Sequence, residues 1–326
     1  MKKPVFNALI GVVTLTYGML AHADGLIVPL YIDPNDEASV GEYTDTETGD
    51  FNEGTLYSGV EIWDIAADEA KTLKNGSVRK YKDYWVIANG PNSGPYPLPL
   101  NKVVKTAFDK VRKNNGKIFG YVHTADAKNL NKFIKLSLVE QDVAKWVKSY
   151  PLLDGIFIDE FWPVHEIDGF NPTYRPTNVK PMLNGQINPV GGYYDQLTKW
   201  IKRTYPKLKI ITNPGGRVES NQYLWNNLGS VVCSFENTLS YALDTDEAGF
   251  SNMLRETKFT KVPQCALIHS NTTSLEDAID QAVNTGYKYF YTVEASTDDN
   301  TWGIMPSYFS DEVSYIATGA STPELP

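Results

Sequence analysis

The sequence predicts a single (β/α)8 barrel of the TIM type, with long loops at the C-terminal face of the strands. Three observations lead there. Eight short β-branched and aromatic runs recur along 326 residues, most of them followed by a helical stretch. The runs are nearly continuous in apolar residues rather than alternating, as parallel strands covered on both faces require. The first run is followed by Pro29-Leu30-Tyr31-Ile32-Asp33-Pro34, with none of the glycines of a phosphate-binding turn, which argues against an open doubly wound sheet.

In chain order, the first 23 residues read as a signal peptide. Lys2 and Lys3 form a basic start, Val5 to Leu20 is mainly apolar, and Ala21-His22-Ala23 supplies small residues at a cleavage site. Asn7, Thr14, Thr16 and Tyr17 dilute that stretch too much for a membrane span. Residues 24–326 are then one catalytic barrel domain, secreted or periplasmic, with no membrane attachment after cleavage, and expected as a monomer. The strands fall at Gly25–Ile32, Tyr84–Asn89, Lys117–Thr124, Gly155–Glu160, Lys209–Asn213, Ser230–Glu236, Val262–His269 and Tyr287–Glu294. Helices are expected over Leu100–Asn115, Asn129–Ser149, Gly192–Tyr205, Ser274–Thr285 and Ser307–Ala317. The first of these places Val103, Val104, Ala107, Phe108 and Val111 on one face. Ser274 with Asp277 resembles a capping box, and Gly286 sits where a helix would stop.

Two connections exceed ordinary βα loops. Residues 33–53 hold eight acids (Asp33, Asp36, Glu37, Glu42, Asp45, Glu47, Asp50, Glu53) and no Lys or Arg; residues 161–191 are rich in Pro, Gly, Asn and aromatics. Both would hang over the barrel mouth, where active sites of this fold lie.

The composition narrows the chemistry. Hydrophobic residues make up 42% and the net charge is -9, so a sizeable core is available and a basic nucleic-acid footprint is not. The four histidines show no paired-ligand spacing, so neither a metal nor another cofactor is expected. Cys233 and Cys265 lie in apolar strand-like runs and read as buried thiols, although export would permit a disulfide.

Against that background, Gly155-Ile156-Phe157-Ile158-Asp159-Glu160 is the most informative run: a buried strand ending in two adjacent carboxylates. Val231-Val232-Cys233-Ser234-Phe235-Glu236 repeats the design, and Asn89, His123, Asn213 and His269 close other strands. Carboxylates without metal ligands, in an exported acidic barrel, suggest glycoside hydrolysis, which needs one acid and one nucleophile or base. Adjacent strand residues face opposite ways, so only one of Asp159 and Glu160 can point inward on a regular strand. The partner is sought on another strand, with Glu236 the obvious choice. Aromatic rings suit the flat C–H faces of sugars. Tyr31, Tyr121, Phe161, Trp162, Phe170, Tyr174 and Trp302 lie at or beyond strand ends, with Trp162 directly after the carboxylate pair. Tyr31, Asn89, His123, Trp162, Asn213, His269 and Trp302 are the expected substrate contacts. A non-catalytic carbohydrate-binding or matrix protein on the same barrel is the alternative, although such a protein would be expected to lose a carboxylate.

The ordered motifs resemble those of the spherulation-specific family 4 (spherulin 4-like) proteins, glycoside hydrolase family 135. They are Val28-Pro29-Leu30-Tyr31, Asn92-Ser93-Gly94-Pro95, Gly120-Tyr121-Val122-His123-Thr124, Gly155 to Glu160, Asn213-Pro214-Gly215 and Phe235-Glu236. Gly90 interrupts what would be an Asn-Pro-Asn-Ser-Gly-Pro run. The resemblance implies endo cleavage of exopolysaccharide containing α-1,4-linked galactosamine or N-acetylgalactosamine. It points to Asp159 as nucleophile, Glu236 as acid/base and Glu160 as a supporting carboxylate. A partly deacetylated polymer of this kind is cationic; the acidic 33–53 segment either steers it toward the mouth or is simply a solvated mobile loop.

Overall fold

The computed structural model describes residues 23–44, 51–76, 82–126, 129–160, 180–181, 187–188, 193–214, 229–238, 262–271, 275–295 and 301–318. The stretch up to residue 22, expected as a signal peptide, the aromatic-rich residues 161–179 and Ser274 of the expected capping box lie outside the described residues. Eight strands run in parallel: β1 (Gly25–Leu30), β2 (Asp83–Ala88), β3 (Lys117–His123), β4 (Gly155–Asp159), β5 (Lys209–Thr212), β6 (Val231–Thr238), β7 (Gln264–His269) and β8 (Tyr289–Thr292). They hydrogen-bond in sequence order, and β8 pairs back onto β1 to close the barrel. Closure leaves the sheet without an exposed edge.

Around it stand α1 (Gly59–Gly76), α2 (Lys102–Lys113), α3 (Leu136–Ser149), α4 (Tyr193–Thr204), α5 (Leu275–Thr285) and α6 (Phe309–Thr318). Their buried stripes repeat at three- and four-residue spacing. In α2, Val104, Ala107, Phe108 and Val111 face the barrel, whereas Val103, one residue out of phase and so about 100° round the helix, is 38% exposed. The stop at Gly286 is present, with φ of 102°. Among the described residues no helix is long and apolar enough to cross a membrane.

The sequence reading missed one helix and misplaced the start of another. Helix α1 escaped the sequence reading because much of its buried face is Ala66, Ala67 and Ala70, which carry little hydrophobic signal. Its start is nevertheless encoded: Ser58 and Glu61 form a reciprocal capping box, with Ser58 N–H on Glu61 Oε2 at 2.9 Å and Glu61 N–H on Ser58 Oγ at 3.3 Å. The expected helix from Asn129 begins only at Leu136; Asn129–Phe133 instead pairs antiparallel with Ala125–Asp126. Asparagine is a poor helix former, and Asn129 and Asn131 leave that stretch free to extend.

The acidic connection after β1 is folded as well. Glu37–Val40 pairs antiparallel with Thr55–Ser58, and Tyr43–Thr44 with Phe51–Asn52. This ribbon docks on the segment after β8, where Gly41 N–H donates to Met305 O at 2.8 Å and Met305 N–H to Ser39 O at 3.3 Å.

Candidate active site

The C-terminal rim of the barrel joins side chains from three strands and two connections into a continuous hydrogen-bonded chain. Asp159 ends β4, in register with His123 of β3, while Tyr121, two residues back on β3, is in register with Phe157. The Tyr121 hydroxyl donates to Asp159 Oδ2 at 2.7 Å. Asn213, immediately after β5, donates through one amide nitrogen to Asp159 Oδ1 at 2.8 Å and to Glu236 Oε2 at 2.6 Å. The indole N–H of Trp302 donates to Glu236 Oε1 at 2.9 Å. Because both bonds meet at one nitrogen, the two carboxylate oxygens lie no more than about 5.4 Å apart, the sum of the two distances. All three side-chain donors are neutral.

Local packing holds these groups in place. Gly120 of β3 allows α3 to approach: a Cβ there would sit 2.5 Å from the Trp146 ring. Trp146 is fully buried and donates its indole N–H to Tyr121 O at 2.7 Å, fixing the strand that carries the phenol. The Tyr121 ring stacks on Phe157, 6.0 Å between centroids, and meets Tyr31 edge-on at 5.2 Å.

Glu236 reaches the interior through an irregularity. In β6 the register against β7 pairs Cys233 with Cys265, then Phe235 with Ala266, so one residue is extra on the β6 side. Cys265 and Leu267, two apart, share a face. Their partners Cys233 and Glu236 are three apart and would face opposite ways on a regular strand; the bulge restores them to the same side. Both cysteines are buried free thiols.

Burial and the adjacent Asp159 charge push Glu236 up to about 7. Burial also raises Asp159, while hydrogen bonding from Tyr121, the Glu160 backbone and Asn213, and the charge of His123, act in the opposite direction. Tyr121 and Tyr31 are held far above their ordinary range by burial and by Asp159, so both remain protonated phenols. Burial pushes His269 down to about 4, leaving it neutral near pH 7. A carboxylic acid that keeps its proton near neutrality, facing a carboxylate with several donors, can divide acid and nucleophile roles between them.

The other expected site residues fall at different distances from this centre. Tyr31 joins it through its Tyr121 contact and its N–H, which donates to Trp302 O at 2.9 Å. His269 closes β7 and its ring lies 6.4 Å from that of Trp302. Asn89 follows β2; its carbonyl accepts from the Tyr96 hydroxyl at 3.4 Å, and its Oδ1 is buried without a hydrogen-bond partner among the described residues. Glu160 turns away: its Oε2 accepts from Ala125 N–H at 2.9 Å. Trp162, together with Phe161, Phe170 and Tyr174, lies outside the described residues. Sequence reasoning overlooked Thr124 and Tyr194, whose hydroxyls bond the backbone beside Asp159. Thr124 could have been noticed as a small polar residue directly after β3, whereas nothing in the sequence singled out Tyr194.

A closed parallel barrel with a carboxylate pair at its C-terminal rim is an architecture for rim chemistry. The model of one family, Spherulation-specific family 4, matches residues 56–316, and the chain belongs to that family. Among solved structures, the chain is similar to Aspergillus clavatus Sph3 in complex with GalNAc: 19% identity, 92% of this chain and 100% of that one, TM-score 0.56, a likeness of fold. Weaker likenesses are to a family 39 glycoside hydrolase from Bacteroides cellulosilyticus (11% identity, 89% and 65% coverage, TM-score 0.44) and to active domain 2 of a chitinase from Pyrococcus furiosus (9% identity, 90% and 96% coverage, TM-score 0.42). No curated protein sequence matches the chain.

Proposed function

We propose that the protein is an exported glycoside hydrolase that cleaves amino-sugar exopolysaccharide within the chain, at α-1,4-linked galactosamine or N-acetylgalactosamine. The observation that carries this reading is the single Asn213 nitrogen holding both Asp159 and Glu236. Family membership supports it, and the GalNAc bound to the similarly folded Sph3 supports the sugar class.

Carboxylates about 5–5.5 Å apart suit double displacement; inversion needs a wider gap to admit water between carboxylate and sugar. Asp159 attacks the anomeric carbon. The bond to the leaving oxygen breaks, and that oxygen takes the Glu236 proton. Glu236, now ionised, removes a proton from water, whose oxygen attacks the same carbon and releases Asp159. Tyr121 and Asn213 orient the nucleophile, and Trp302 and Asn213 orient the acid. Tyr31, His123, His269, Asn89 and Trp162 are assigned to sugar contact, and Glu160 to support of the Asp159 turn. Export through residues 1–23 would deliver this domain, acting as a monomer, to a matrix outside the cytoplasm.

The test is incubation of purified protein with galactosaminan, with released oligosaccharides read by mass spectrometry. Soluble fragments of several residues are expected from wild type and none from Asp159→Asn or Glu236→Gln. Full release by either variant removes that residue from the mechanism. Binding without release by wild type favours a carbohydrate-binding matrix protein instead.

A further inference from the structure

The turn that follows Asp159 is the least ordinary backbone in the site. Glu160 has φ of 53°, a left-handed conformation disfavoured for any residue with a Cβ and retained only where the surroundings impose it. Those surroundings are two buried hydroxyls from different elements. Thr124, just past β3, places Oγ1 2.9 Å from both Asp159 O and Glu160 O. Tyr194, in the first turn of α4, donates to Glu160 O at 2.8 Å and lies 2.9 Å from Thr124 Oγ1. Each hydroxyl has one proton. With the Tyr194 proton on Glu160 O, the Thr124 proton is free for Asp159 O, so both carbonyls of the turn are served. The Glu160 carboxylate completes the brace from the other side, on Ala125 N–H.

We propose that Thr124 and Tyr194 are positioning residues: together they hold the strained Asp159–Glu160 turn in one orientation and so keep the Asp159 carboxylate aligned between Tyr121 and Asn213. This rests on the reading of Asp159 as nucleophile, yet its effect on the carboxylate exists without substrate. A strand that simply relaxed after Asp159 would let the carboxylate swing off both donors, because its Cα direction is set by the two successive peptides whose carbonyls the hydroxyls grip.

The test uses Tyr194→Phe, Thr124→Val and Thr124→Ser in the full-length protein, with two readouts. The first is the titration midpoint of Asp159, followed by ¹³C-carboxyl NMR in the free protein. Loss of alignment weakens the bonds that favour the ionised form, so the midpoint rises in Tyr194→Phe and Thr124→Val and stays at the wild-type value in Thr124→Ser. The second is steady-state hydrolysis: kcat falls about tenfold in the first two variants, the worth of one well-aligned hydrogen bond, with KM within about twofold, and Thr124→Ser is close to wild type. Variants with a lower Tm but an unchanged Asp159 midpoint would overturn the proposal, since the hydroxyls would then only stabilise a loop. Should Thr124→Val not fold, Tyr194→Phe, which removes only an oxygen, decides alone. A wild type without hydrolytic activity would end the proposed function, while the NMR arm would still decide the positioning role.

Discussion

The two ends of the barrel treat their carboxylates in opposite ways. At the N-terminal end, Asp83 of β2 pairs with Lys117 at 2.6 Å and accepts from the Tyr289 hydroxyl at 3.0 Å. Asp154, just before β4, pairs with Arg112 and caps Ile118 N–H at 2.9 Å. Lys117 and Lys209 also approach Trp85, at 5.4 and 4.5 Å from its ring, and that ring stacks on Phe119 and Tyr289. Burial would raise Asp83, but the hydrogen bond and charge of Lys117, with the Tyr289 hydrogen bond and the Lys209 charge, together outweigh it, and the carboxyl lies below its ordinary value. At the C-terminal end Asp159 and Glu236 lie close together, hydrogen-bonded to neutral donors, and both are raised. One end compensates its charges and gains stability. The other leaves like charges in proximity, which costs stability and keeps a proton available near neutral pH.

The largest expected effects break this contrast from both sides. Asp159→Asn and Glu236→Gln each lower kcat on the order of 10³-fold or more, measured on soluble oligosaccharide. Their stability moves the other way. A carboxyl raised in the folded state contributes full stability below its unfolded value and loses it as pH rises through the folded one. Glu236→Gln therefore has a higher Tm than wild type at pH 8, by several degrees, and little difference at pH 4, read by calorimetry. Asp83→Asn shows the reverse pattern: hydrolysis at 25 °C stays within about twofold, while stability falls by roughly 1–3 kcal/mol in denaturant titration at pH 7. Its depressed carboxyl stabilises above the unfolded value, so that deficit disappears as pH falls through the folded one.

A smaller effect probes the acid directly. Trp302→Phe removes the indole donor, which favours ionised Glu236. The alkaline limb of the kcat/KM profile, near pH 7 in wild type, moves upward while the acid limb stays in place. The smallest concerns the acidic ribbon. Its docking on Met305 ties it to the Trp302 segment, so deletion would disturb the site itself. Neutralising the exposed Asp36, Glu37 and Glu53 leaves that docking intact. If the ribbon steers a cationic polymer, kcat/KM falls several-fold at low salt and its salt dependence flattens. Unchanged salt dependence ends the steering idea.

Much of this was legible in the sequence, for physical reasons that differ by element. The eight strands could be read because burial on both faces leaves almost no polar residue in them, as in Leu26 to Leu30 or Ala266 to Ile268. Asp159 and Glu236 could be read as carboxylates that end such runs. Their geometry could not. The inward direction of Glu236 depends on a bulge whose extra residue leaves no mark in Val231-Val232-Cys233-Ser234-Phe235, and strict alternation from Cys233 would have sent it outward. The turn at Glu160 answers the expectation that only one of the adjacent acids faces inward, but its left-handed backbone is bonded by Thr124 and Tyr194, the latter 34 residues away. The bridge through Asn213 joins three strand ends that only barrel closure brings together.

The central claim is that Asp159 and Glu236, held on one amide, act by double displacement. It is tested most directly by the anomeric configuration of the first product, followed by ¹H NMR during cleavage of an α-linked galactosaminan oligomer before mutarotation. The account predicts that the α anomer forms first and the β anomer grows in later. A β anomer forming first would show direct displacement by water and contradict the assignment of Asp159 as nucleophile.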